Sequence, residues 1–452
     1  MAQRELLSLC EFLSGMNLAS IPIYLIEHAK LVLLDTLGVI IAGSHSHEVN
    51  RIAKGLSLNN GQEQTATCPG RQERFHPLNA ALISGISGSS LEYEEGNSRA
   101  MGHPAIQIVP AILASSEANN LTGERLLIGL IAGYEAASRI SRASSIRKGL
   151  HPTGTWGVVG CALGIGCIYK RSPESLAEIA NIASSYALSP YVKNSFAGKN
   201  VSSTFAGITN YLGLLSNIFF ASGIRAEPSS FKITFSQFVS ENFDPALLCE
   251  NLGKEYAIRE NYFKPYPTCR FTHPTLDALK AILEKEQINL DDIHHIKVWS
   301  FKAAVHTSSS TPVNIEAMRF STPYLVAAML LQGKIDLETL RNEVLEDKRI
   351  TDLASKVEMI YSPEYESFRP GQNPAKIAIQ MKDGREFTHE VLNCWGDPLN
   401  PMSKEAVSEK FLCLAGPVIG GTRANQFLDK LNNLESENHV QPLVAFLQPK
   451  QG

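Results

Sequence analysis

KIAIQMKDGREFTHEV, residues 376–391, reads as a β-hairpin with Asp383-Gly384 at its turn, a dipeptide that closes tight antiparallel connections. The surrounding sequence shares this texture. HHIKVWSFKA (294–303) alternates like a strand and VEMIYSP (357–363) is short and β-prone, whereas HPTLDALKAILEKE (273–286), STPYLVAAMLLQG (321–333) and DLETLRNEVLE (336–346) read as helices between them. A smaller α+β domain is therefore expected over residues 257–393.

The flanking sequence is helical. LIEHAKLVLLDTLGVIIAG (25–43), HPLNAALISGISGSS (76–90), ERLLIGLIAGYEAASRISRA (124–143) and TFAGITNYLGLLSNIFFASGI (204–224) carry Ala, Gly and Ser at helical spacing, which lets helices approach closely. NPMSKEAVSEKFLCLAG (400–416) and GGTRANQFLDKLNNLE (420–435) return to helix, broken at Gly420-Gly421, with Thr422 placed to cap the second. The expected fold is mainly α: a large all-helical domain from residues 1–256 and 394–452, with the α+β domain inserted.

A chain of 452 residues, 44% hydrophobic and 19% charged, has the balance of a globular protein of two or three domains. A formal charge of -4 without a strongly basic run argues against a general nucleic-acid binder, so an anionic ligand would be small and locally recognised. The eight cysteines are scattered with no CxxC pair, which suggests neither a zinc ribbon nor a disulfide framework and points to a reduced, cytoplasmic setting. MAQRELLSLCEFL reads as an amphipathic helix rather than a signal peptide. The most apolar stretches are too short or interrupted to span a bilayer, so no membrane partner is expected.

Four of the twelve histidines precede proline: His76, His103, His151 and His273. Proline favours the first position of a helix and pushes the residue before it into an extended conformation. Each ring would then stand at a helix N-terminus, where the macrodipole disfavours imidazolium and leaves a neutral base beside amides able to hold a carboxylate. The neighbours differ. His103 follows an acidic run at Glu92, Glu94 and Glu95, and His151 opens a segment whose Gly154, Gly157 and Gly160 read as close helix packing rather than a phosphate loop. His273 ends KPYPTCRFTHP, a loop stiffened by prolines that carries Lys264, Cys269 and Arg270 and reads as a binding loop. His76 lacks such company and is assigned to structure. His45 and His47 lack a third metal ligand, His294 and His295 read as solvated, and neither a metal nor a serine nucleophile has support.

Six blocks in order, EYEEGNSRAMGHPAIQIVPA, HPTGTWGVVG, AGKNVSSTFAG, KPYPTCRFTHP, RFSTPY and NPMSKEAVSEKF, resemble the MmgE/PrpD family, which includes 2-methylcitrate dehydratase, cis-aconitate decarboxylase and iminodisuccinate epimerase. The resemblance implies a lid-like α+β domain, an active site in the cleft between domains, a homodimer and no cofactor. It also implies catalytic roles for His103, His151, Lys199, Lys264, Tyr324 and Glu92, with Asn97, Cys269, Arg270 and His273 placed as substrate-binding residues. Lys199, at the entrance to an apolar helix, is expected in a buried or cleft position.

The chain departs from the family at two points: EYEEGN replaces the Asp-x-Asp-Asp-Thr run of the lyase branch, and Cys269 replaces a lid histidine. The implied function is a cofactor-independent lyase, dehydratase or decarboxylase, acting on a small anionic carboxylate such as 2-methylcitrate or cis-aconitate. The alternatives are an epimerase or isomerase of a small dicarboxylate and a non-catalytic carboxylate binder. Cations would neutralise the substrate's carboxylates, and histidine would move a proton at the carbon beside one.

Overall fold

The computed structural model describes residues 2–57 and 65–450, and the protein is mainly α. The chain divides into two compact units, one of Met1–Val192, Ser202–Asn261 and Ser403–Gly452, the other of Lys193–Val201 and Tyr262–Met402. Each is described by itself.

The first unit opens with α1 (Ala2–Ser14), α2 (Ile23–Gly43), α3 (His47–Ser57), α4 (Pro77–Ser89), α5 (Val109–Ala118), α6 (Gly123–Ala143), α7 (Gly157–Ile168), α8 (Pro173–Ser184) and α9 (Thr204–Ala221). Its small residues act as the helical spacing predicts. A Cβ at Gly160 of α7 would stand 2.5 Å from Ala137 Cβ of α6, and one at Gly164 would stand 2.7 Å from the Gly129 carbonyl oxygen. The two backbones therefore touch, and larger side chains would separate them. Residue 85 of α4 and residue 207 of α9 meet in the same way.

The first unit is not wholly helical. Two short antiparallel ladders join β1 (Ala66–Thr67) to β2 (Arg74–Phe75) and β3 (Ser144–Ile146) to β4 (Ser240–Phe243). They are too short to show a period of two against the helical background.

In the second unit, β5 (Ile293–Ser300), β6 (Val357–Tyr361), β7 (Ala375–Met381) and β8 (Glu386–Val391) form one sheet in the order β8-β7-β5-β6. β7 and β8 are the hairpin, with Ile379 opposite Phe387, and the turn uses Gly384 at φ +89°, a backbone region that a side chain would strain. Helices α10 (His273–Leu283) and α11 (Thr322–Gln332) bury Leu276, Leu279, Leu325 and Met329 in a core with Ile296, Ile377 and Ile379. The helix expected over 336–346 forms only at Asn342–Leu345. Asp336 is the reason: its Oδ1 accepts the amides of Glu338 and Thr339, each at 2.9 Å, a local turn that competes with the helix.

The chain returns to the first unit as α12 (Lys404–Ile419) and α13 (Gly421–Leu431). Thr422 does not cap α13, because the helix already starts at Gly421, with Gly420 in the cap position. Among the described residues, no helix is long and apolar enough to cross a membrane.

Candidate active site

The four His-Pro pairs meet their helices in different ways. His76 stands as predicted, extended at ψ 142° in the cap position of α4, its Nδ1 accepting the Leu78 amide at 3.4 Å. His103 leads into a three-residue 3-10 turn, Ala105–Gln107, before α5; His151 lies six residues ahead of α7; and His273 is already helical at φ -60°, ψ -44°. The macrodipole argument therefore fails for the two catalytic candidates, and the surrounding structure sets their state instead.

In the first unit the acidic run folds into a tight loop. Asn97 and Gly102 pair across it, with the Asn97 amide donating to the Gly102 carbonyl at 2.8 Å. The Asn97 side chain holds the loop itself, donating to the Ala257 carbonyl at 2.9 Å and accepting the Ala100 amide at 3.0 Å. These bonds close the loop and tie it to the segment of Ala257. Glu92 is half-buried in the left-handed region at φ 52°.

The other two carboxylates of the acidic run, Glu94 and Glu95, are both buried. Glu95 is the centre of the loop. Its Oε1 accepts the Ala105 amide at 2.8 Å, its Oε2 accepts the Tyr134 hydroxyl at 2.9 Å, and its amide donates to Asp35 Oδ2 at 3.2 Å. Asp35 is held in turn by Lys410 Nζ at 2.6 Å, which also donates to the Tyr93 carbonyl at 2.9 Å. Burial pushes the Glu95 carboxyl up to about 8, against the pull of its two hydrogen bonds, so it is mostly protonated at neutral pH.

The Glu95 carbonyl receives His103 Nδ1 at 2.7 Å. A carbonyl only accepts, so Nδ1 carries the proton and Nε2 is the basic nitrogen of the neutral ring. In His151 the arrangement is reversed: Nδ1 accepts the Thr153 amide at 3.1 Å, which leaves the proton on Nε2. The His151 ring rests edge-on against Phe205, with centroids 5.6 Å apart. Burial, reinforced by His103 and opposed by Glu92, lowers His151 to about 4, so it stays neutral at physiological pH. Those electrostatic influences bring His103, His151 and Glu92 into one neighbourhood.

The second unit carries the other candidates. Lys264 is fully buried and Cys269 is buried, with the Cys269 amide donating to the Arg319 carbonyl at 2.9 Å. Arg270 pairs with Asp397, lies over the Tyr262 ring at 4.4 Å, and donates to His273 Nδ1 at 3.1 Å. His273 Nε2 donates to the Thr268 carbonyl at 3.1 Å, so both ring nitrogens are bound within the loop. Tyr324 donates its hydroxyl to the Val344 carbonyl at 2.5 Å, and burial pushes its phenol up to about 12. Lys199 is exposed, contrary to the expected buried position, on a segment that groups with the second unit and whose Gly198 carbonyl accepts Asn314 Nδ2 at 2.8 Å.

Sequence reasoning missed Asp35, Lys410, Tyr134, Gln107 and Arg319. One signal was readable: Asp35 interrupts the apolar run LVLLDTLGVI, where an unpaired charge would be costly. Among the described residues, no three His, Cys, Asp or Glu side chains gather to hold a metal ion.

The sequence pattern of the MmgE/PrpD N-terminal domain matches residues 7–232, and that of the C-terminal domain matches residues 266–436. The chain is 24% identical to a cis-aconitate decarboxylase of Homo sapiens, over 96% of this chain and 92% of that protein. It is 22% identical to a cis-aconitate decarboxylase of Aspergillus terreus, over 97% and 95%, and 23% identical to one of Mus musculus, over 98% and 93%. With both domain patterns in order along the chain, the protein belongs to the MmgE/PrpD family.

Proposed function

We propose that the protein is a lyase acting on a small di- or tricarboxylic acid, with decarboxylation of cis-aconitate as the leading reaction. The observation that supports it is the pair of oppositely polarised histidines: His103 with a basic Nε2, and His151 as a neutral Nε2–H donor. The similarity to cis-aconitate decarboxylases over nearly the full chain supports cis-aconitate as the substrate to test first. The family resemblance implies Lys199 and Lys264 as cations for a substrate's carboxylates. No metal is called on.

In decarboxylation, the bond from the methylene carbon to its carboxyl group breaks, and its electron pair becomes the new double bond. The old double bond shifts its electrons to the vinyl carbon, which takes a proton, and carbon dioxide leaves. His103 delivers that proton as imidazolium, and the His151 Nε2–H stabilises charge on the neighbouring carboxylate. A second reading, dehydration of a methylcitrate-like acid, is favoured by the basic Nε2 of neutral His103: it removes a proton beside a carboxylate, the C–H electron pair becomes the new double bond as the C–O bond breaks, and the resulting imidazolium returns the proton to the departing hydroxyl, which leaves as water.

The two readings oppose each other in pH. Decarboxylation needs protonated His103 and loses kcat/KM as pH rises, whereas dehydration needs the neutral ring and gains. The test is NMR in deuterium oxide with cis-aconitate and 2-methylcitrate, across pH and with a chelator. The expected result is carbon dioxide release with one deuteron incorporated per turnover from cis-aconitate, unaffected by chelation. Deuterium exchange without net product would move the assignment to an epimerase, and no exchange into any candidate acid would leave a carboxylate binder.

A further inference from the structure

One buried side chain joins the two histidine loops. Gln107, in the 3-10 turn after His103, has no solvent exposure. Its Nε2 donates to the His103 carbonyl at 3.0 Å, and its Oε1 accepts the Gly154 amide at 2.9 Å. The Thr153 amide, one residue earlier, is the group that fixes His151 Nδ1. Two successive amides are thus aimed by two acceptors: one sets the tautomer of His151, and the other is anchored to the loop of His103. Gly154 holds φ +99°, so this peptide stands in a backbone conformation that a glycine permits and that its hydrogen bonds must select.

The glycine spacing of HPTGTWGVVG has its explanation here as well. A Cβ at Gly157 would stand 2.0 Å from Gln107 Oε1, so that position is small because the glutamine amide lies against it. The first turn of α7 is shaped around Gln107.

We propose that Gln107 is a positioning residue that fixes the spacing of His103 and His151 and, by anchoring the Gly154 amide beside that of Thr153, the Nε2–H tautomer of His151. It acts through the two loops. Without it the Gly154 amide loses its acceptor, the Pro152-Thr153-Gly154 turn loses its anchor, and the Thr153 amide, on the preceding peptide, is no longer held toward Nδ1; the His103 loop loses its tie at the same time. This inference deepens the proposed function, on which its kinetic arm rests, while its spectroscopic arm reads the two imidazoles whatever the substrate.

The experiment uses full-length protein with nitrogen-15-labelled histidine, wild type and Gln107→Met, which keeps the length of the side chain and removes both hydrogen bonds. The expected result is that the His151 ring, held in wild type as the Nε2–H tautomer, populates both tautomers in the variant. With cis-aconitate, kcat should fall by ~10- to 100-fold with KM changed less than ~3-fold. A folded Gln107→Met protein whose His151 tautomer matches the wild type overturns the proposal. If that variant does not fold, Gln107→Glu decides: it keeps an acceptor for Gly154 and removes the donor to His103. His151 should then remain as in wild type while kcat falls, and an unchanged kcat overturns the proposal. A wild-type protein inactive on every acid refutes the proposed function alone, and the His151 tautomer in Gln107→Met then decides this inference.

Discussion

His103 and His273 share the same dipeptide and opposite circumstances. In the first unit, His103 commits Nδ1 to a backbone carbonyl, and that bond fixes which nitrogen carries the proton. In the second, His273 commits both nitrogens, accepting from Arg270 and donating to Thr268. A histidine whose proton is placed by one backbone carbonyl is an oriented ring, whereas one with both nitrogens tied inside its own loop is a buried cross-link. The difference lies in what the neighbouring backbone offers each ring, which the His-Pro pair itself does not encode.

Exchanging the readouts breaks or sharpens the comparison. His103→Gln should lower kcat/KM by ~10²- to 10⁴-fold, the range for a lost acid or base, while its unfolding midpoint stays near wild type. His273→Leu should do the reverse. It leaves the Thr268 carbonyl and an Arg270 N–H without their partner, so denaturant unfolding should show a loss of about 2 to 4 kcal/mol. Activity in the folded fraction should change less than about threefold, the bound for a group that acts only through structure. A catalytic collapse in His273→Leu with unchanged stability would make it a substrate-binding residue after all.

Several features were legible in the sequence for physical reasons. The hairpin showed because Ile377, Ile379 and Met381 alternate and Asp383-Gly384 supplies the turn; the helices of the first unit showed because their glycines and alanines recur where α6 and α7 touch. Glu95 was harder. Nothing in EYEEGN separates three similar carboxylates, and the one that organises the loop is set by Tyr134, Asp35 and Lys410, from distant parts of the chain. Gln107 was invisible for a related reason: an amide gains its role only when folding removes water and supplies two partners. Lys199 shows the converse, since the helix that follows it is apolar but its own segment groups with the other unit.

Glu95 sharpens the comparison through pH. Its folded value, about 8, lies above the ordinary glutamate range, so its contribution to stability is present below about 4.5 and is lost as pH rises toward 8. His151, lowered to about 4, runs the other way, with stability present above about 6.5 and lost as pH falls toward 4. In Glu95→Gln the carboxyl's window disappears. Relative to wild type, the variant should gain stability between pH 5 and 8 with a slope of up to about 1.4 kcal/mol per pH unit, read by denaturant titration. A flat difference across that range would show that the carboxyl is not protonated in the fold.

Tyr324 carries the smallest expected effect and tests the second unit from another side. Its hydroxyl is committed to the Val344 carbonyl, and burial, with Asp347 adding to it, holds the phenol near 12, which favours a retained proton over a shared one. As a structural donor, Tyr324→Phe should cost about 1 to 2 kcal/mol of stability, a hydrogen bond removed from a carbonyl with some access to water, and leave kcat within about twofold. As the acid partner that the family resemblance implies, the same variant would lower kcat by ~10²-fold or more. The ring and its packing are retained in phenylalanine, so the ratio of these two losses isolates the hydroxyl. A large kinetic loss would require the Val344 bond to open during turnover, making Tyr324 a reagent like His103 rather than a cross-link like His273.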